Sequence, residues 1–144
     1  MGQSLRVLLI DDDPADSVLI QEAFSLLEQP CTLMVLNSGA AGLAHLISLE
    51  HLAPDVVLLD LKMPEPDGFM VLAALKAHPQ LQALPIVVFT ISTSDEDMRR
   101  AYALRANAYV VKDLAFETLC QQVRSLVKFW SLARTVPCPS QSPH

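Results

Sequence analysis

Short runs of β-branched and leucine-rich residues alternate along this chain with longer stretches whose apolar positions recur every three or four residues. Segments near 5–10, 32–36, 55–60, 86–90 and 108–112 read as strands, and those near 14–28, 39–51, 68–78, 95–105 and 115–133 read as helices. Strands regularly separated by helices imply parallel pairing, since a parallel crossover needs roughly a dozen residues or more. Runs such as Val56-Val-Leu-Leu59 and Ile86-Val-Val-Phe89 are continuously apolar, as strands covered on both faces should be. The expected fold class is therefore α/β: a single doubly wound five-stranded parallel sheet, order 2-1-3-4-5, flanked by five helices.

The last helix has the clearest pattern. Phe116, Leu119, Cys120, Val123, Leu126, Val127 and Trp130 share one 3.6-residue stripe that should cover the sheet. Phe129, Leu132 and Ala133 fall off that stripe or beyond the sheet, leaving apolar surface that suits a protein partner. Residues 1–134 are expected to form one domain. The Pro- and Ser-rich 135–144 should be an extended or disordered tail that carries no output domain.

Composition narrows the classes of function. With 144 residues, the chain fits one compact domain. Its 10 Lys and Arg against 16 Asp and Glu give a net charge of -6, which disfavours direct nucleic-acid binding through phosphates. No apolar run approaches the ~18 residues of a membrane span. The Met1-Gly-Gln-Ser4 start lacks the charged and apolar regions of a secretory signal, so a cytoplasmic location is expected. Cys31, Cys120 and Cys138 show no paired spacing, and neither do His45, His51, His78 and His144. Reduced structural thiols and surface histidines are the expectation.

The candidate chemistry lies at the strand ends. Asp11 and Asp12 close the first strand, Asp60 the third, Thr90 the fourth and Lys112 the fifth, and a parallel sheet carries all of them to one edge. Asp13 before Pro14 is explained as a helix N-cap. Each of the others has a plain reading by itself: a solvated turn for Asp11 and Asp12, a β-forming residue for Thr90, a surface cap for Lys112. Their convergence favours chemistry. Three like charges meeting there would raise at least one pKa unless a cation joined them, and Mg²⁺ suits an all-oxygen ligand set. The set forms a candidate magnesium-assisted phosphoryl-acceptor site.

At these residues the chain resembles the receiver domain of bacterial two-component response regulators. The likeness spans residues 5–133 and rests on four segments: Leu8-Leu-Ile-Asp11-Asp12, Leu58-Leu-Asp60-Leu-Lys-Met-Pro64-Glu-Pro-Asp67-Gly68, Pro85-Ile-Val-Val-Phe-Thr90 and Ala108-Tyr109-Val-Val-Lys112. It implies a flavodoxin-like fold in which Asp60 is the phosphoacceptor for a sensor histidine kinase. It also implies that Asp12 and Asp60 ligate Mg²⁺ by side chains, Lys62 by its backbone carbonyl and Asp11 mainly through water. Lys112 would pair with the phosphoryl oxygens, Thr90 would hydrogen-bond them, and Tyr109 would follow as the aromatic switch. Such a phosphoprotein is a phosphorelay component rather than an enzyme, catalysing only its own phosphorylation and dephosphorylation.

A narrower likeness is to single-domain regulators of phytochrome-type kinases. It rests on Asp11-Asp-Asp-Pro-Ala-Asp-Ser17, Asp97-Met-Arg-Arg-Ala-Tyr102 with Ala106-Asn107, and Val127-Lys-Phe-Trp130. It implies a bacteriophytochrome-type kinase partner, an extended last helix and a homodimer through that helix.

The chain departs from the family pattern at three places. Asp113 follows Lys112 where the family has a proline in a cis bond, and a cis bond without proline costs about 3 kcal/mol, so a trans bond is expected. Ile91 stands where a small residue is usual and should slow self-dephosphorylation. Arg105 replaces a turn glycine without an evident reason. Two other functions use similar residues. A haloacid dehalogenase-like phosphatase would need an acid where Lys62 stands, and a pseudo-receiver docking module usually lacks one of the acid, threonine or lysine positions retained here.

Overall fold

The structure is a computed structural model that describes residues 4–48 and 53–133. The expected tail at 135–144, with Cys138 and His144, and also His51, lie outside the described residues. Along the chain run β1 (Leu5–Ile10), α1 (Pro14–Ser25), β2 (Cys31–Leu36), α2 (Gly39–Ile47), β3 (Val56–Leu59), α3 (Gly68–Ala77), β4 (Ile86–Thr90), α4 (Asp95–Ala103), β5 (Ala108–Val111) and α5 (Phe116–Leu132). All neighbouring strands pair in parallel, in the order β2-β1-β3-β4-β5. The alternation of strands and helices is thus as expected.

Side chains of successive strand residues alternate between two cores. Leu8, Ile10, Val57, Leu59, Ile86 and Val88 pack with Leu46 of α2, Leu72 and Leu75 of α3 and Ala101 of α4. Val7, Leu9, Leu58, Val87 and Phe89 pack on the opposite face with Ile20 and Phe24 of α1 and Leu119, Val123 and Val127 of α5. Two covered faces explain why the three central strands are apolar at nearly every position. The edge strands β2 and β5 are only partly buried.

The helix ends follow local chemistry. Asp13 caps α1, its carboxylate accepting from the Ala15 and Asp16 amides, with Pro14 as the first helical residue. α1 stops at Ser25, short of the expected 28, because the Leu26 and Leu27 amides turn back to the Ala23 and Phe24 carbonyls. α5 runs as far as the sequence pattern suggested. Its stripe packs on the sheet, and Phe129 points away from it, 59% exposed beside an equally outward Leu132.

Arg105 finds its reason in the turn before β5. It adopts φ 72, and its guanidinium donates to the Lys76 carbonyl at 2.9 Å. A glycine would take this backbone more easily but would lose the tether. Lys76 itself is buried, its ammonium donating to Asn107 Oδ1 at 2.9 Å and to the Leu84 carbonyl at 3.3 Å. Asn107 Oδ1 also accepts the Ile86 amide, joining the starts of β4 and β5 at the edge opposite the acidic residues.

Gly68 sets how closely α3 approaches the end of β3. A Cβ there would overlap the Asp60 carbonyl oxygen and the Leu61 Cα, both backbone atoms that cannot swing aside. The Gly68 amide donates to the Leu61 carbonyl, and Asp67 caps the helix through the Met70 amide. Gly68→Ala is expected to destabilise the fold by about 1–3 kcal/mol through overpacking. Urea denaturation checks this, with Ala74→Gly as a comparison that should cost only about 1 kcal/mol through helix propensity.

Candidate functional site

The backbone ladder continues beyond the strands and fixes the site. The Asp60 amide donates to the Ile10 carbonyl at 3.0 Å, the Asp11 amide to Leu36 at 3.1 Å, and the Lys112 amide to Thr90 at 2.7 Å. Residues closing β1, β3, β4 and β5 are thereby held at one sheet edge, where the strand order reverses between β1 and β3.

Asp11, Asp12 and Asp60 each present a carboxylate oxygen, all within 4.8 Å of one another. Asp11 and Asp60 are buried, while Asp12 is half-buried. The Asp13 amide donates to Asp11 Oδ1 at 2.9 Å, and the Lys62 amide donates to Asp60 Oδ1 at 3.3 Å. The Lys112 ammonium, buried at 1% exposure, lies 2.8 Å from Asp11 Oδ2, 3.1 Å from Asp16 Oδ2 and 3.7 Å from Asp60 Oδ2. The donor set fits a small hard divalent cation, whose ligand oxygens at about 2.1 Å from the metal stand about 3–4 Å apart.

Burial pushes the Asp11 carboxyl above its ordinary range, outweighing the hydrogen bonds from Lys112 and the Asp13 amide. The repulsion of Asp60 adds to the rise but is the smallest contribution, so the main cause is desolvation rather than crowding of like charge. Burial opposes the charged form of Lys112, but the Asp11 hydrogen bond, the charges of Asp60 and Asp11 and the Asp16 hydrogen bond outweigh it and raise its pKa.

Thr90 is buried at the end of β4, and its hydroxyl accepts from the Ser92 amide at 3.4 Å. Tyr109, half-buried in β5, donates its hydroxyl to the Ser92 carbonyl at 3.0 Å. Ser92 therefore touches both residues expected to switch together. Its own hydroxyl donates to Asp97 Oδ2 at 2.7 Å, and the Lys62 ammonium reaches that same oxygen at 3.0 Å. These contacts, Ser92 first, hold the Asp97 carboxyl below its ordinary range.

The loop after β5 confirms the trans expectation: among the described residues the only cis peptide is Glu65–Pro66, so Lys112–Asp113 is trans. With no proline at 113, the Asp113 amide needs an acceptor and finds Gln122 Oε1 at 3.0 Å, while Gln122 Nε2 donates to the Val111 carbonyl at 2.7 Å. One α5 side chain thus clamps both ends of the loop.

Ser92 and Gln122 were not singled out from sequence, and Asp16 entered only within the segment 11–17, with no role of its own. Gln122 occupies an ordinary polar helix position and Ser92 a polar loop, so no pattern distinguished them.

Comparison with known proteins bears directly on this arrangement. Residues 7–124 match the model of the response regulator receiver domain. The chain belongs to the response regulator receiver family. The probable methanogenesis regulatory protein FilR2 of Methanothrix harundinacea is 40% identical over 127 residues, covering 86% of this chain and 82% of the relative. Response regulator Rcp1 of Synechocystis sp. is 34% identical over 135 residues, covering 91% of this chain and 92% of the relative. Among solved structures, the phosphorylated cyanobacterial phytochrome response regulator RcpA superposes with a TM-score of 0.85 at 33% identity, over 96% of this chain and all 100% of the other. The Mn²⁺-bound form of Rcp1 superposes with a TM-score of 0.81 at 33% identity, over 93% and 99%. No helix among the described residues of this receiver is long and apolar enough to cross a membrane.

The raised Asp11 carboxyl has a definite sign in stability. The folded receiver binds that proton more tightly than the unfolded chain, so Asp11 favours folding at low pH, and the contribution is lost as pH rises above the ordinary value of 3.8 through the folded one. Asp11→Asn is therefore expected to raise the melting temperature in EDTA at neutral pH, with the gain shrinking towards acid pH. Added Mg²⁺ should raise the wild-type melting temperature by mass action and that of the variant less. Thermal melts across pH, with and without Mg²⁺, measure both effects.

Proposed function

We propose that this receiver accepts a phosphoryl group on Asp60 from a phosphohistidine of a sensor histidine kinase and signals by binding proteins differently in the two states. What carries the reading is the convergence of Asp11, Asp12 and Asp60 with the buried Lys112 at one sheet edge. The Asp60 carboxylate attacks phosphorus, and the P–N bond breaks. Its electron pair stays on the imidazole, which takes up a proton, and an acyl phosphate is left on Asp60. Asp11, Asp12 and Asp60, with the Lys62 backbone carbonyl, would hold Mg²⁺, whose charge offsets that of the transferring phosphoryl oxygens. Lys112 supplies a second positive charge from a site shut off from water, where it acts most strongly. Thr90 then turns its hydroxyl to the phosphoryl group, and Tyr109 follows through their shared neighbour Ser92.

The similarity to RcpA, a phytochrome response regulator, supports a phytochrome-type kinase as the partner. The likeness to Rcp1 extends over 92% of that protein's own length, which supports reading this receiver by analogy with it. A homodimer through α5 is supported by the outward Phe129 and Leu132 and by a groove of about 530 Å³ beside them, lined by Ala108, Val110, Leu126 and Trp130.

Treatment with acetyl phosphate and Mg²⁺ should add one phosphoryl group per chain by intact mass, and Asp60→Asn should add none. Equal addition in Asp60→Asn would refute the assignment, and continuous turnover of a generic phosphoester would favour a phosphatase. Ile91 follows Thr90 in the chain and is 54% exposed, and its proposed role is to screen an acyl phosphate from water. Ile91→Ala should lose its phosphoryl group several-fold faster in a decay time course, on the order of 1 kcal/mol of barrier. Sedimentation velocity should show a dimer that dissociates when Phe129 and Trp130 are both changed to Ser.

A further inference from the structure

Lys112 is held by two carboxylates, and the second comes from a helix rather than from the acidic triad. Asp13 caps α1 and Pro14 starts it, which sets Asp16 in the first turn. From there the Asp16 carboxylate turns inward to Lys112 at 3.1 Å, 96 residues away in sequence, with its side chain only 14% exposed. An ammonium has three N–H donors. Asp11 takes one at 2.8 Å and Asp16 another, while Asp60 at 3.7 Å lies beyond hydrogen-bond reach.

An acid in the first turn of a helix is favoured by the helix dipole wherever its carboxylate points. That accounts for an acid at position 16 but not for its inward turn onto a buried lysine. Nor does Lys112 lack a counter-charge without it, since Asp11 is closer. Asp16 makes a third carboxylate against one ammonium in a site that would receive an anion. It is a ground-state partner of Lys112 that a phosphoryl group must displace or share. An interaction stronger before the transition state than in it slows the chemical step.

We propose that Asp16 is a positioning residue that holds the Lys112 ammonium off Asp60 and thereby restrains phosphorylation of Asp60. This rests on Asp60 being the phosphoacceptor. The same contact links the first turn of α1 to the state of Asp60, because Lys112 loosens its hold on Asp16 when it swings to the phosphoryl oxygens.

The test is the initial rate of phosphorylation by limiting acetyl phosphate with Mg²⁺, followed by intact mass, in wild type, Asp16→Asn, Asp16→Ser and Asp16→Glu. Both neutral variants should react faster than wild type, on the order of five-fold. Asp16→Glu, which keeps the charge, should react more slowly than either. Added salt should accelerate wild type more than Asp16→Asn, a difference that a merely structural role would not produce. Neutral variants that fold and react at the wild-type rate or slower would overturn the proposal. So would failure of both to give a cooperative melt, since Asp16 would then be a structural counter-ion. Absence of any mass gain in wild type would overturn the Asp60 assignment and this proposal with it, whereas a wild-type gain matched by the neutral variants would overturn this proposal alone.

Discussion

Lys112 carries a charge into a place that water does not reach, and a buried charge persists only where opposite charge and hydrogen bonds meet it. Asp11 and Asp16 do so directly, and Asp60 does so at a greater distance. Asp11 in turn depends on the lysine, because burial favours its neutral form. That mutual dependence ties the ends of β1, β3 and β5 and the start of α1 to one point. The geometry of the candidate site follows from it.

A second buried ammonium holds the other edge of the sheet. Lys76 bonds to Asn107 and to the Leu84 carbonyl, and Arg105 reaches back to the Lys76 carbonyl. These contacts join α3, β4 and β5 where no phosphoryl chemistry is placed. The sheet is thus braced by a lysine at each end, Lys112 among carboxylates and Lys76 against Asn107 and the Leu84 carbonyl. Just past the end of β4, at the acidic edge, Ser92 connects Thr90, Tyr109 and Asp97, which gives a change there a short hydrogen-bonded route to α4.

Much of this was legible in the chain. Alternating apolar runs and helical stripes pointed to a doubly wound sheet, since strands covered on both faces must be apolar throughout and long crossovers force parallel pairing. Asp13 was separable from Asp11 and Asp12 because Pro14 marks a helix start. Asp11, Asp12, Asp60 and Lys112 could be grouped because each closes a strand. Arg105 resisted explanation, as its partner is a backbone carbonyl 29 residues away that no local pattern reveals. Like-charge repulsion among the three acids points to at least one raised carboxyl without saying which; the structure identifies Asp11 and makes burial, not the neighbouring charges, the main cause.

Local order and strand-end chemistry are properties the sequence determines by itself, because hydrophobic period, caps and the residue after each strand act over a few positions. The tertiary structure alone decided which polar side chains of the helices reach the site. Asp16 and Gln122 look like solvated helix residues until α1 and α5 pack on the same face of the sheet, which brings Asp16 to Lys112 and Gln122 to the loop after β5. Such pairings depend on how helices are set against strands far away in sequence, and a hydrogen bond is selective over a few tenths of an ångström. No period in the chain encodes a distance of that kind.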